Sequence, residues 1–506
     1  MNANNQRDNS VRAAATSLDL SPVDLQALAT QVTNLVTEYF ADVSTRPVFP
    51  ETRGGQTINA LGAALPLAGV PLAQLINDCR VILENSRHNG HPRFFGYVAS
   101  PATPPGAFAD LIASALNANV TSWRSGPAAT VIERTVVSWL GTLIGYSSDE
   151  SHGLLTSGGS LANLTALMMA QRAKSGVDTA QKGLWNAGPP MTIYASDQIH
   201  MSIPKAADIL GLGRGQVRLI DADSEFRMDV AALRRMIAAD LTAGLKPFCV
   251  VASAGTVNTG AVDPLAEIAD VAREFGLWFH IDGAYGALAT LDDTKRPLFG
   301  GLERADSISL DPHKWLYVPI DSGCLLFRDP ARAHAAFSLD GADYIKVHEQ
   351  NADEAFAFWN YGPELSRRFR ALKIWLTLRY YGVERIARSI SEDNALAQYL
   401  GQQVAAAEDF ELLAAPVLSI CCFRYVPRAA RDSAGAAFSE SELDQLNTRI
   451  MNDVQRGGLA YLSSATLNGK FALRVCLTNF RTTRADIDET LAIIRAAARN
   501  LLGSQL

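Results

Sequence analysis

An α/β fold on a mainly parallel sheet is what this 506-residue sequence predicts. Three observations carry that expectation. Between about residues 154 and 327, short apolar runs alternate with helical patterns, as strands do when helices cover both faces of a sheet. One repeat of that alternation is complete at residues 263–282. Asp263 and Pro264 read as a helix start, Leu265, Ile268, Val271 and Phe275 share one face, Gly276 stops the helix, and an apolar strand follows over 277–281. The composition, 48% hydrophobic and 19% charged, suits a chain long enough to bury more than one core. Flanking patterns add an N-terminal helical arm (1–100) before the large domain (101–390) and a small C-terminal α+β domain (391–506) after it.

Residues 1–20 read as a loosely held arm. Ser21 and Pro22 then form an N-cap and first helical position, and Leu25, Leu28, Val32, Leu35 and Tyr39 repeat at three and four. A second helix is expected over 71–85, with Leu72, Leu75, Cys79 and Ile82 on one face. Residues 91–105 are aromatic, then proline-rich, and read as an extended segment of the kind that lines sites. Gly126 and Pro127 open a helix through Val136, Trp139, Leu140 and Leu143. Residues 248–254 read as a buried strand running into Gly255 and Thr256. Residues 338–362, including Tyr344 and His348, have no clean period and suggest a functional lid or a disordered segment. Helical spacing resumes over 367–381. In the small domain a helix over 441–456 stops at Gly457, Asn468-Gly469 marks a tight hairpin between strands at 459–466 and 471–478, and a last helix runs through Ile487, Leu491 and Ile494.

The chemistry concentrates at strand ends. Ser307 to Leu310 is β-prone, Asp311-Pro312 ends it, and His313, Lys314 and Trp315 follow. A poorly solvated lysine there would be a nucleophile able to capture an aldehyde; a surface loop lysine is the plainer alternative. Upstream, Asp282 ends an apolar strand and small residues follow it. An acid at the carboxyl end of a buried strand faces the crevice where α/β folds bind ligands, although Asp-Gly after a strand is commonly just a turn. Pyridoxal phosphate needs such a carboxylate against its pyridine nitrogen and such a lysine for its aldehyde. A third stretch, Ser157-Gly158-Gly159-Ser160, runs into a helical pattern whose first N–H groups could hold a phosphate, or it is only a cap. Neither a P-loop nor a dinucleotide glycine fingerprint occurs there, which disfavours an NAD enzyme.

Six blocks stand in one order: His91 to Tyr97, Ser157 to Asn163, Ser196 to His200, His280 to Gly286, Asp311 to Trp315, and Ser366 to Trp375. Together they resemble the group II pyridoxal-phosphate decarboxylases, and in particular the aromatic L-amino-acid decarboxylase branch. The resemblance runs from about residue 60 to the last helix. It implies a fold type I (aspartate aminotransferase-like) architecture and a homodimer wrapped by the N-terminal arms. It implies Lys314 on the cofactor aldehyde, Asp282 on the pyridine nitrogen, His200 above the ring and Ala284 beneath it. Gly159 and Ser160 would hold the phosphate, and Thr256 and His313 would support the ring and its link to lysine. Tyr97, Ser100 and Thr121 match substrate-pocket positions.

Three departures from that pattern matter. The loop tyrosine that protonates Cα aligns by spacing with Phe358, with Tyr361 and Tyr344 nearby. Slow protonation would leave time for oxygen to react and give an aldehyde instead of an amine. Thr121 stands where the aromatic branch has a bulky residue, so an acidic or aliphatic substrate, with Arg124 as a clamp, competes with an aromatic one. Asp311 stands where asparagine is common, and charge repulsion from a phosphate would turn its side chain away. A catalytically inactive scaffold is a further alternative, disfavoured because Lys314, Asp282 and His200 are all present.

The net charge of −7 argues against nucleic acid or anionic membrane as partners. The polar first ten residues contain no signal-peptide apolar region, and six scattered cysteines without metal or redox spacing fit a reducing, cytoplasmic setting. No metal site is expected; His88 and His91 read as structural.

Overall fold

The computed structural model describes residues 18–62, 64–146, 151–185, 188–339, 351, 353–428 and 438–503. It divides into Met1–His88 and Asn89–Leu506. The first unit holds helices Pro22–Asp42, Gly54–Leu61 and Leu72–Glu84. Ser21 caps the first, its Oγ accepting the Asp24 N–H at 3.2 Å. The short helix at Gly54–Leu61 lacks an apolar period, and Gln56 reaches back to the Arg53 N–H at 3.0 Å to start it.

The second unit carries two sheets. The larger contains β1 (His152–Thr156), β2 (Met191–Ser196), β3 (Val217–Ile220), β4 (Lys246–Ser253), β5 (Trp278–Asp282), β6 (Ser307–Leu310) and β7 (Gly323–Phe327), in the order β1-β7-β6-β5-β4-β2-β3. Only β7 runs against its neighbours. Its central strands are buried throughout because helices such as Gly159–Lys174 and Leu265–Glu274 cover both faces. β4, β5 and β6 are adjacent and parallel, so the segments leaving their carboxyl ends meet along one edge. Helix Leu265–Glu274 ends as its sequence implied: the Gly276 N–H reaches the Arg273 carbonyl and the Leu277 N–H the Ala272 carbonyl. Its start differs from expectation. Asp263 does not cap it; burial turns the carboxylate inward, where it accepts the Ser253 N–H at 2.7 Å and the Met228 N–H at 2.8 Å.

The smaller sheet, β8 (Phe410–Ala414), β9 (Ile420–Tyr425), β10 (Ser463–Leu467) and β11 (Lys470–Cys476), is antiparallel in the order β10-β11-β9-β8. Asn468 and Gly469 turn the β10–β11 hairpin, both at positive φ, with Leu467 paired to Lys470. Both faces of the sheet are buried. Cys421, Phe423, Leu473 and Val475 pack with helices Val383–Ala406, Glu440–Arg456 and Arg484–Gly503, whereas Cys422, Ala472 and Cys476 join the core of the larger sheet. Of residues 338–362, the described part ends in a single turn at Phe358–Asn360; Tyr344 and His348 lie outside the described residues.

Candidate active site

A cavity of about 600 Å³ opens at the carboxyl ends of β4, β5 and β6. Lys314 enters it from the turn Pro312–Trp315, Asp282 from the last position of β5, and Thr256 from the segment after β4. Gly159 and Ser160 open the helix that follows β1, and His200 precedes the helix Ser202–Ile209. Ala284, His313 and Tyr97 complete the set of sequence-derived residues on its walls. Glycine is required at 159 by close approach: a Cβ there would lie 2.8 Å from the Ala284 Cβ and 3.1 Å from Asp311 Oδ2.

The Asp282 carboxylate, 7% exposed, accepts from Asn163 Nδ2 at 2.9 Å, from Ser309 Oγ at 3.2 Å and from the Ala284 N–H at 3.2 Å. Three donors hold it in one orientation. His200 Nδ1 faces Ser202 Oγ at 2.9 Å and the Ser202 N–H at 3.2 Å, and burial pushes the imidazole below its ordinary pKa. Burial does the same to His313, whose Nδ1 donates to the Ser322 carbonyl at 2.6 Å. Lys314 Nζ pairs with Asp311 Oδ2 at 2.9 Å. Asp311 therefore does not point away from the cavity, as charge repulsion suggested. The ammonium one turn further along attracts it inward, and its Oδ1 has no hydrogen-bond partner among the described residues.

A family model for the pyridoxal-dependent decarboxylase conserved domain matches residues 55–426. The chain belongs to that family. The aromatic-L-amino-acid decarboxylase of Bacillus atrophaeus is 35% identical over 486 residues, 96% of this chain and 98% of that one. The phenylacetaldehyde synthase of Petunia hybrida is 28% identical, covering 96% of each chain. The crystal structure of Oryza sativa TDC with PLP and tryptamine superposes with a TM-score of 0.88 at 28% identity, over 96% of this chain and 100% of that one. This pyridoxal-dependent decarboxylase thus has the cofactor and the amino-acid chemistry that its motifs implied. The donor set fits pyridoxal phosphate: an amine and a well-held carboxylate face one cavity, beside a glycine-tight helix start that a methyl group would fill.

Three sequence-derived residues of the decarboxylase lie elsewhere in the chain. Ser100 sits behind the cavity, donating to the His313 carbonyl at 2.8 Å and so tethering the 91–105 segment to the lysine turn. Thr121 accepts the Phe358 N–H at 2.9 Å through its carbonyl. Tyr361 stacks on Phe356, with ring centroids 5.4 Å apart, beside Phe327. Phe358, the position reached by counting spacing, is no loop-tip residue. It is buried beneath the Arg367 guanidinium, 4.1 Å from its ring centre, and Arg367 forms a buried pair with Glu133. Arg124 is exposed and lines no part of the cavity.

Two cavity residues escaped the motif reading. Arg474 on β11 is buried and lines the cavity; it donates to the Val257 and Tyr97 carbonyls, and its Nη2 has no hydrogen-bond partner among the described residues. An arginine inside the apolar run 471–476 was the available signal. Asn163 lies within a quoted motif, but its place on the buried face of its helix, beside Ala162, Ala166 and Leu167, is what marks it. No group of three or more His, Cys, Asp or Glu side chains with metal-binding geometry occurs among the described residues, and none of their helices is long and apolar enough to cross a membrane.

Proposed function

We propose that this chain removes CO₂ from an aromatic L-amino acid and releases the corresponding amine. The carrying observation is the make-up of the cavity mouth. Tyr97 lines it, hydrogen-bonded through its hydroxyl to Tyr461 at 3.2 Å, and Tyr461 stacks on Phe94 with centroids 5.4 Å apart. This aromatic ladder suits a flat apolar side chain. Besides Lys314, the only lysine or arginine lining the cavity among the described residues is Arg474, which leaves one guanidinium for the substrate's own carboxylate and none for an acidic side chain. The names of the Bacillus atrophaeus and Oryza sativa relatives support the same substrate class.

In this reading Lys314 would hold the cofactor through its aldehyde. Asp282 holds the pyridine nitrogen, His200 and Ala284 enclose the ring, and Gly159 and Ser160 bind the phosphate through helix-start N–H groups. Thr256 and His313 support the ring from the strand-end side. When bound, pyridoxal phosphate supplies the electron sink for the bond broken at Cα. Arg474 fixes the carboxylate end of the substrate, so Tyr97 meets its side chain. Tyr361 or Tyr344 would return the proton to Cα; Tyr361 is half-buried in its aromatic stack. We place the protein in the cytoplasm as a homodimer. The dimer is supported by the family resemblance and by the exposed apolar side chains Val23 and Leu25 on the first helix.

The test is purified protein with pyridoxal phosphate and a panel of L-amino acids under air, with Lys314→Ala as control. CO₂ with equal amine from Trp, Tyr, Phe or dopa is the expected result, and Arg474→Met should raise KM at least tenfold. CO₂ with aldehyde and peroxide would instead place the chain with the phenylacetaldehyde synthases among its relatives. CO₂ only from Glu or an aliphatic acid would overturn the aromatic assignment.

A further inference from the structure

Behind the cavity lies a buried polar chain whose central donor directions follow from the groups that can only accept or only donate. Trp278 Nε1 can only donate, and it points at Ser307 Oγ, 2.9 Å away. Ser307 Oγ is 2.9 Å from His280 Nδ1, and His280 Nε2 is 2.9 Å from Asn163 Oδ1. Asn163 Nδ2 is 2.9 Å from Asp282 Oδ2 and 2.9 Å from Ser202 Oγ, and that hydroxyl is 2.9 Å from His200 Nδ1.

The Asp282 carboxylate only accepts, so the Asn163 NH₂ must face it and the Asn163 carbonyl must face His280. His280 Nε2 then donates to that carbonyl, while its Nδ1 lies between the Ser307 hydroxyl at 2.9 Å, which accepts from Trp278, and the Ser307 carbonyl at 3.2 Å. Burial pushes His280 well below its ordinary pKa, in keeping with a neutral ring. On the other side, the second Asn163 N–H donates to the Ser202 oxygen, which keeps its own proton free for His200 Nδ1. The Ser202 backbone N–H, 3.2 Å away, reinforces that acceptor role. His200 therefore presents Nε2–H. Turning the Asn163 amide over would set its carbonyl against the Asp282 carboxylate, leaving two buried acceptors facing each other.

We propose that Asn163 is a positioning residue that holds, through one amide, both the cofactor-facing carboxylate of Asp282 and the Nε2–H tautomer of His200. Asn163 touches neither the cavity's lysine nor the phosphate-holding atoms in this role; it sets the two groups that enclose the ring. Its orientation is set by the Asp282 carboxylate, which can only accept. The inference rests on the functional reading given above only for its consequence on cofactor binding.

The experiment uses full-length protein with ¹⁵N-labelled histidine, with and without pyridoxal phosphate, as wild type, Asn163→Asp and Ser202→Ala. In wild type the His200 resonances should show Nε2 protonated and Nδ1 hydrogen-bonded. Asn163→Asp keeps the shape but replaces the donor by a carboxylate, which draws the Ser202 proton away from His200. Ser202→Ala removes that proton altogether. Both should move the His200 Nδ1 resonance in the same direction, towards an unbonded imine-type nitrogen. Asn163→Asp should also weaken pyridoxal phosphate binding by about tenfold or more, because Asp282 then shares a proton with its new neighbour. Ser202→Ala cuts only the His200 branch and should weaken it less.

A wild-type His200 protonated at Nδ1, or an Nδ1 resonance unchanged in both variants, overturns the proposal. Weaker cofactor binding in Asn163→Asp without an imidazole change would make Asn163 a packing residue only, and also overturns it. If Asn163→Asp does not fold, Ser202→Ala and the wild-type spectrum decide alone. Failure of wild type to take up pyridoxal phosphate would count against the functional reading, whereas the cofactor-free spectra report on the hydrogen-bond chain by themselves.

Discussion

Asp393→Asn should stabilise this protein at neutral pH, and by an amount that grows with pH. Asp393 is buried on helix Val383–Ala406, where its carboxyl meets the Tyr317 hydroxyl at 2.8 Å and the Asn479 N–H at 3.3 Å, with no ion-pair partner among the described residues. Burial is the dominant influence and pushes its pKa up to about 8. In the unfolded chain an aspartate titrates near 3.9. The folded state therefore binds a proton that the unfolded state has released. Its contribution is complete below about pH 4 and is lost as pH rises towards 8, at about 1.4 kcal/mol per pH unit. At pH 7 that amounts to roughly 4 kcal/mol. Asparagine mimics the protonated acid but leaves one N–H unpaired, which costs about 1–3 kcal/mol. A net gain of about 1–3 kcal/mol at pH 7 follows, shrinking to nothing or reversing near pH 5. Urea unfolding of both proteins at several pH values between 5 and 8 measures it. A difference between variant and wild type that stays constant across that range would refute the reasoning.

Two further outcomes follow from the cavity and its surroundings. Gly159→Ala places a methyl group 2.8 Å from the Ala284 Cβ, so pyridoxal phosphate affinity should fall at least tenfold in an absorbance titration, with only about 1–3 kcal/mol of destabilisation. Phe358→Tyr should leave the ratio of amine to aldehyde unchanged, because the ring is sealed under Arg367; product analysis by chromatography would show otherwise if residue 358 faced the substrate.

The strand-end groups were legible in the sequence because each sits where a period changes. Proline at 312 stops β6, small residues follow β5, and Gly255 follows β4, so the sequence alone places Lys314, Asp282 and Thr256 on one crevice. Their orientations were not legible. Asp311 turned inward because an ammonium three residues away outweighed a repulsion inferred from the family pattern. Asp263 looked like a cap, but its oxygens serve two buried N–H groups from distant segments. Phe358 was reached by counting residues, and spacing does not reveal that a guanidinium 4.1 Å away pins that ring inside the core. Arg474 is local in sequence only to Ser463 and Ser464, its neighbours across the hairpin, and the pairing of β11 with β9 carries that hairpin to the cavity wall.

The two-faced small sheet bears on how this chain could be cut or rearranged. Cys422 on β9 contacts the Asn258 carbonyl at 3.2 Å, and Arg474 on β11 bonds the Val257 carbonyl at 2.8 Å, so the segment that follows β4 is upholstered by strands laid down more than 150 residues later. A fragment ending near residue 390 would retain its lysine and aspartate yet lack a wall of the chamber around them. New chain termini or inserted modules belong at the Asn468-Gly469 tip, which points out of that partnership, and the last strands of the chain cannot be treated as a detachable appendage.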